Sequence, residues 1–271
     1  MYHFFVDSSQ ITPDFKKVQI TGSDYNHIVN VLRMKTGEQF SVSIRDDNAN
    51  NAGAGDHNAD EFASSRELFY EIEKIDDSSV LGNLCFIEEA GNELPSKIYL
   101  FQGLPKVDKM ELIIQKAVEL GAYRIIPMST KRCIVKLDAR KAENKLKRWQ
   151  AIAEAAAKQS KRGIIPKVTG PMTMKEAISF CEKEGIDVKL IPYEMAKDFS
   201  KTKSCIEGIG SGQSVAIFIG PEGGFTEDEI GMSIENGIIP ITLGRRILRT
   251  ETAGFTAISW LMYHLEQTDT D

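Results

Sequence analysis

Hydrophobic and polar positions change their rhythm once along this chain, near residue 95. Before it, short stretches rich in Val, Ile and Phe stand between polar segments: FKKVQI (15–20), QFSVSI (39–44), LFYEIEKI (68–75) and VLGNLCFIEE (80–89). That pattern predicts half-buried β-strands. One stretch has helical spacing instead, SDYNHIVNVLRMKTGE (23–38), with Ser23 or Asp24 as its cap and Ile28, Val31 and Leu32 on one face. A small β-barrel with one short helix fits residues 1–91. Within it, DDNANNAGAGDHNADEFASS (46–65) is polar and small throughout. Nothing there can offset the entropy of ordering, so it reads as a flexible hairpin insertion.

From residue 95 to 271, apolar runs alternate with helical patterns. KIYLFQGL, YRIIPM, VKLIPYE, SVAIFIG and IIPITLG read as strands. Between and after them, VDKMELIIQKAVELG ends at Gly121, and DARKAENKLKRWQAIAEAAAKQS places Trp149, Ile152 and Ala156 at helical spacing. TMKEAISFCEKEG opens on a capping box (Thr173, Glu176) and stops at Gly185, and TETAGFTAISWLMYHLE is mostly apolar. Strands alternating with helices predict an α/β domain, a parallel sheet covered on both faces.

Composition narrows the class. The chain has 271 residues, room for two domains. It has no apolar run long enough for a membrane span, and MYHFFVDSSQ matches neither a signal nor a transit peptide. The four cysteines (Cys85, Cys133, Cys181, Cys205) are scattered, as expected of reduced thiols in a cytoplasmic protein. The four histidines form no ligand cluster, so no metal is expected. Net charge is −6, but residues 97–167 carry 17 Lys+Arg against 6 Asp+Glu, whereas residues 46–95 carry 2 against 13. A basic segment inside an acidic chain suits a surface that meets phosphates; the alternative is a solvated helix face.

Candidate chemistry gathers at three strand ends: LIPYE (190–194), IGPEGG (219–224) and LGRRILRTETA (243–253). In a parallel sheet all carboxyl ends lie on one edge, so these loops should converge. A phosphate-binding loop is absent, and Glu222 sits where a phosphate would want a cation. GIGSGQS (208–214) precedes its strand and so fails as a dinucleotide fingerprint. Glycines for close backbone approach, the Ile247-Leu248 pair and a nearby carboxylate suit an uncharged heterocycle with a cationic substituent, the make-up of S-adenosylmethionine.

With HIVNVLRMKTGE, KVDKMELIIQKAVELGAYRIIPM, KRCIVK, RWQAIAEAAAKQSKR, IGPEGGFTEDEI and LGRRILRTETA in this order, the chain resembles the RsmE family, ribosomal RNA small subunit methyltransferase E, of the SPOUT superfamily. The resemblance implies a PUA-like β-barrel followed by an α/β domain with a deep C-terminal trefoil knot. It implies a homodimer that binds S-adenosylmethionine in loops of the knot and methylates N3 of a uridine in small-subunit rRNA near the decoding site. By position, Leu190 and Pro192 would line the first loop, and Ile219, Gly220, Glu222 and Gly223 would shape the second. Leu243, Gly244, Ile247 and Leu248 would form the third, with much of the binding made by backbone. Two features depart from the family pattern: the long polar 46–65 insertion, and Lys161 where glycine is more usual.

Uridine N3 is weakly acidic, so a cation near the uracil carbonyls would help. Arg249 is the catalytic candidate for that cation; alternatively it pairs with Glu251 or Glu222 and holds the loop. Arg33, Lys35, Lys106, Lys109, Lys131, Arg132 and Arg162 are the expected phosphate contacts, and Gln159 with Ser160 could approach the target loop. His27 reads as structural, and Trp149 and Trp260 as core or dimer contacts. The apolar last helix is expected at a dimer interface. A different class stays open: an rRNA-binding assembly factor without activity.

Overall fold

The computed structural model describes residues 1–45, 66–89, 92–106 and 109–268. The insertion expected at 46–65 lies outside them. The chain divides into two compact units: Met1–Glu93 with Ala157–Ile165, and Leu94–Ala156 with Pro166–Asp271. Nothing in the sequence pattern signals that residues 157–165 cluster with the first unit.

The first unit is built on five strands: β1 (Tyr2–Val6), β2 (Lys17–Thr21), β3 (Gln39–Ile44), β4 (Arg66–Ile75) and β5 (Ser79–Glu89). They pair in the order β1-β3-β4-β5-β2, with β1 parallel to β3 and the other pairs antiparallel. Phe4, Val18, Ile20, Phe40, Val42, Leu68, Tyr70 and Val80 form its core, with the Phe40 and Tyr70 rings stacked 6.0 Å apart. β1 went unread as a strand because YHFFV has four consecutive buried positions and no alternation.

The expected helix over 23–38 takes another form. α1 (Gly22–Asn26) runs directly into a π-helical turn, His27–Leu32. Its cap is Thr21, not Ser23 or Asp24, because β2 pairs with β5 as far as Thr21↔Ser79 and Gly22, at φ 66°, turns the chain straight into the helix. Arg33 follows at φ 54°, in the left-handed region that non-glycine residues rarely occupy.

The second unit holds a six-stranded, wholly parallel sheet: β6 (Ile98–Gly103), β7 (Ala122–Met128), β8 (Lys167–Val168), β9 (Val188–Pro192), β10 (Val215–Ile219) and β11 (Ile239–Ile241). Their order is β11-β9-β10-β6-β7-β8. The helices are α2 (Lys109–Glu119), α3 (Ala139–Gln159), α4 (Met174–Lys183), α5 (Phe199–Glu207), α6 (Glu227–Glu235) and α7 (Thr250–Thr268). Phe101 and Phe218 stack at 4.5 Å in the central strands, and Ala177, Ile178 and Cys181 of α4 pack with Ile230 of α6 in the same core cluster. Thr173 and Glu176 form the expected capping box of α4. Trp149 is a core residue, 2% exposed, whereas Trp260 is half-buried with its ring edge-to-face on Phe199. Burial pushes the Cys181 thiol up to about 12, which makes it chemically quiet at neutral pH.

Candidate functional site

Strand order does for the three loops what their separation in sequence cannot. β10 sits between β9 and β6, and β11 lies beyond β9, so the chain ends of β9, β10 and β11 are neighbours on the carboxyl edge. Tyr193 N–H donates to the Ile241 carbonyl at 3.0 Å, tying the first loop to the third. Leu190 and Ile219, each 2% exposed, are core residues, so only their main chains can line a ligand. Pro192 is half-buried.

The second loop is a tight turn. Gly224 N–H donates to the Pro221 carbonyl at 2.8 Å, and Gly224 has φ 66°. A Cβ on Gly220 would meet the Gly224 backbone at 3.0 Å, so the turn would have to shift to accept a side chain there. Thr226 and Glu229 then form a reciprocal capping box that starts α6. Glu229, 4% exposed, also accepts the Lys131 backbone N–H at 2.8 Å.

Glu222 points toward the loop after β6. Its carboxylate accepts the Lys106 backbone N–H at 3.0 Å and lies 3.5 Å from Lys109 Nζ. Burial, the largest single influence, pushes the Glu222 carboxyl up; its own backbone N–H, the Lys106 N–H and the Lys109 charge outweigh that and hold it below the usual carboxylate range. Glu222 therefore shapes the loop through its neighbours.

In the third loop, Thr242 Oγ1 lies 3.3 Å from both the Gly244 N–H and its carbonyl, and Gly244 has φ 105°. Leu243 and Leu248 are half-buried, but Ile247 is 89% exposed, so the Ile-Leu pair does not close an apolar slot within one chain. Arg249 is exposed, and its guanidinium has no ion pair or hydrogen bond among the described residues. Its alternative partners are taken: Lys109 Nζ is 3.2 Å from Glu251 as well as near Glu222. At the start of α7, Thr250 Oγ1 donates to the Gly220 carbonyl at 2.6 Å and accepts from Gln102 Nε2 at 2.8 Å. In the sequence Gln102 is signalled only as an amide inside the mostly apolar KIYLFQGL run.

The expected phosphate contacts divide. Arg33 and Lys35, in the first unit, are exposed and without ion pairs among the described residues, and Gln159 is exposed too. In the second unit Lys106 is exposed, while Arg132 Nη1 donates to the Gly223 carbonyl at 2.8 Å. Lys131, more than half exposed, pairs with Asp228 at 2.7 Å, and that hydrogen bond raises its pKa. Two expectations need correction. Arg162 is 2% exposed and gives two hydrogen bonds to Glu93, so it anchors the 157–165 segment instead of meeting RNA. Lys109 is held by two carboxylates, which leaves little of its charge for a phosphate.

Comparison with known proteins fits this geometry. The model of the RNA methyltransferase domain matches residues 92–262, and that of the RNA methyltransferase PUA domain matches residues 20–49. Ribosomal RNA small subunit methyltransferase E of Bacillus subtilis is 34% identical over 273 residues, covering 98% of each chain. The crystal structure of ribosomal RNA small subunit methyltransferase E from Neisseria gonorrhoeae bound to S-adenosyl methionine superposes with a TM-score of 0.77 at 27% identity, covering 97% of each chain. A putative methyltransferase from Legionella pneumophila, in complex with the bound cofactor SAM, gives a TM-score of 0.75 at 29% identity over 97% of each chain. With a match across the catalytic domain and full-length identity of this order, the chain belongs to the ribosomal RNA small subunit methyltransferase E family.

Proposed function

We propose that this protein methylates N3 of a uridine in small-subunit rRNA near the decoding site, using S-adenosylmethionine and giving 3-methyluridine. The observation that carries this reading is the convergence of three loops on one sheet edge, with Arg249 exposed and without a carboxylate partner among the described residues beside them. Residues at that edge fit the cofactor. Gly220, Gly223 and Gly244 leave main chain accessible for adenine, while Leu243 and Leu248 offer apolar surface. No phosphate cradle is present in these loops, which matches a ligand without phosphates.

When bound, S-adenosylmethionine supplies an electrophilic methyl group on a sulfonium. The chain's own part is to bind, orient and neutralise. N3 must lose its proton to the solvent or a neighbouring base, so negative charge develops on the uracil carbonyls. In this reading Arg249 offsets that charge, and orientation in the closed loops supplies the rest of the acceleration. N3 lies on the Watson–Crick edge, so the uridine must be unpaired when it reacts.

Arg33 and Lys35 in the first unit, and Lys106, Lys131 and Arg132 in the second, are the proposed phosphate contacts. Arg33 closes the π-helical turn at positive φ, the left-handed conformation in which helices commonly end. We also propose that the second unit closes as a trefoil knot and pairs as a homodimer in the cytoplasm, with α7 in the interface. No helix among the described residues is long and apolar enough to cross a membrane. Ile247, Met195, Phe199 and Tyr263 are apolar and more than half exposed, as unpartnered interface residues would be.

The test is transfer of labelled methyl from S-adenosylmethionine to small subunits taken from cells that lack the enzyme, followed by nucleoside analysis. Label in 3-methyluridine supports the proposal. Label in another nucleoside keeps the cofactor and changes the target, and absence of both label and cofactor binding favours the assembly-factor alternative.

A further inference from the structure

Gln102 is the only side-chain amide in β6, and it is wholly buried, 0% exposed. Its two amide hydrogens are both used: Nε2 donates to the Gly103 carbonyl at 3.0 Å and to Thr250 Oγ1 at 2.8 Å. Thr250 has one hydrogen, and it goes to the Gly220 carbonyl at 2.6 Å. That fixes the direction of the relay. The Thr250 oxygen must accept from Gln102 because its proton is committed to Gly220, so the amide cannot be turned around. The cost of this arrangement is visible, since Gln102 Oε1 is buried without a hydrogen-bond partner among the described residues. An apolar residue of similar shape would fill the space without that orphan, so stability alone does not account for the amide.

Backbone geometry points to the same place. A Cβ on Gly103 would come within 2.6 Å of the Pro221 nitrogen and ring, so the end of β6 lies directly against the Gly220-Pro221 bond. In the sheet, Gln102 stands in register with Ile219, the residue just before that bond. The second loop and the start of α7 thus rest on β6 through both close contact and a hydrogen-bonded relay.

Building on the reading that these loops hold S-adenosylmethionine, we infer that Gln102 is a positioning residue, which sets the Gly220 peptide for the cofactor by acting through Thr250. It touches neither cofactor nor RNA. The Gly220 carbonyl is polarised and held in plane by Thr250, and Gln102 keeps the Thr250 hydroxyl aimed at it. The same relay couples the second loop to the first turn of α7, which directly follows Arg249.

The test is calorimetric titration of S-adenosylhomocysteine into the full-length protein, its Gln102→Met, Thr250→Val and Thr250→Ser variants, and the Gln102→Met/Thr250→Val double variant. Melting curves run alongside. The expected result is a loss of affinity of about ten-fold in Gln102→Met and in Thr250→Val, a double variant no weaker than either single one, and near wild-type binding in Thr250→Ser. Residues in contact are non-additive in stability too, so the pattern must appear in affinity measured far below every melting temperature, where a structural role alone leaves binding unchanged. Binding of Gln102→Met within two-fold of wild type overturns the inference, as does full additivity in the double variant. If Gln102→Met fails to fold, the contrast between Thr250→Val and Thr250→Ser decides it, equal affinities overturning the relay. A wild-type protein that binds no S-adenosylhomocysteine defeats the cofactor reading itself, and the inference with it, before any variant is compared.

Discussion

Arg132 grips the second loop: its Nη1 donates to the Gly223 carbonyl at 2.8 Å, and its Cβ lies 3.2 Å from where a side chain on Gly223 would begin. A residue expected only as a phosphate contact is therefore also a brace for the second loop. Arg132→Ala should weaken S-adenosylhomocysteine binding by about three- to ten-fold, the worth of one charge-assisted hydrogen bond at a surface. Arg132→Lys keeps the charge but not the guanidinium geometry, so RNA affinity should recover while cofactor affinity stays low. Calorimetry on both variants checks this, and wild-type cofactor affinity in both would remove Arg132 from the loop's support.

Arg249 carries the opposite expectation. It is exposed and has no carboxylate partner among the described residues, because Lys109 lies between Glu222 and Glu251. Arg249→Ala should abolish methyl transfer, by about 100-fold or more, and leave cofactor affinity within a few-fold. Single-turnover rates measured beside calorimetry separate the two effects. Full methylation by the variant would take Arg249 out of the mechanism.

Much of this arrangement was legible in the sequence, and the gaps have physical causes. Five of the six strands in the second unit announced themselves as apolar runs, as in SVAIFIG, whereas β8 (Lys167–Val168) is too short to read. The capping box at Thr173 was readable because its partner stands three residues away. Pairing between distant residues was not readable. Nothing local shows that Arg162 will meet Glu93, 69 positions earlier, or that Thr250 will bridge Gln102 and Gly220. The charge count of the basic segment shows no pairing either: Lys109, Lys131, Arg148 and Arg162 each have a carboxylate partner. A local charge count cannot see partners supplied by the fold.

Acid should loosen the second loop through Glu222. Its folded pKa is depressed, so its contribution is complete above the ordinary carboxylate value and is lost as pH falls through the lower, folded value. Cofactor affinity should therefore be insensitive to this group from neutral pH down to the ordinary carboxylate range, and fall only in more acid solution. Glu222→Gln cannot form the ion pair with Lys109, so its affinity should already be reduced at neutral pH and should show a shallower acid limb. Titrations across pH on both proteins test this; identical affinity at neutral pH would mean that the Lys106 and Lys109 contacts do not shape the loop.

Lys161 stands where the backbone turns left-handed. After α3 the chain closes in a Schellman arrangement, with Arg162 N–H on the Ala157 carbonyl at 2.9 Å and Lys161 N–H on that of Lys158 at 3.4 Å. This closure puts Lys161 at φ 54°, where a Cβ is strained and glycine is not. Replacing it with glycine removes that strain but gives the unfolded chain more freedom, which offsets part of the gain. The net expectation is a stabilisation of about 0.5–1 kcal/mol and a melting temperature about 2 °C higher. Lys161→Ala controls for the charge: it keeps the strained backbone and should melt no higher than wild type. If glycine proves no more stable than alanine here, the left-handed turn is not what limits this segment.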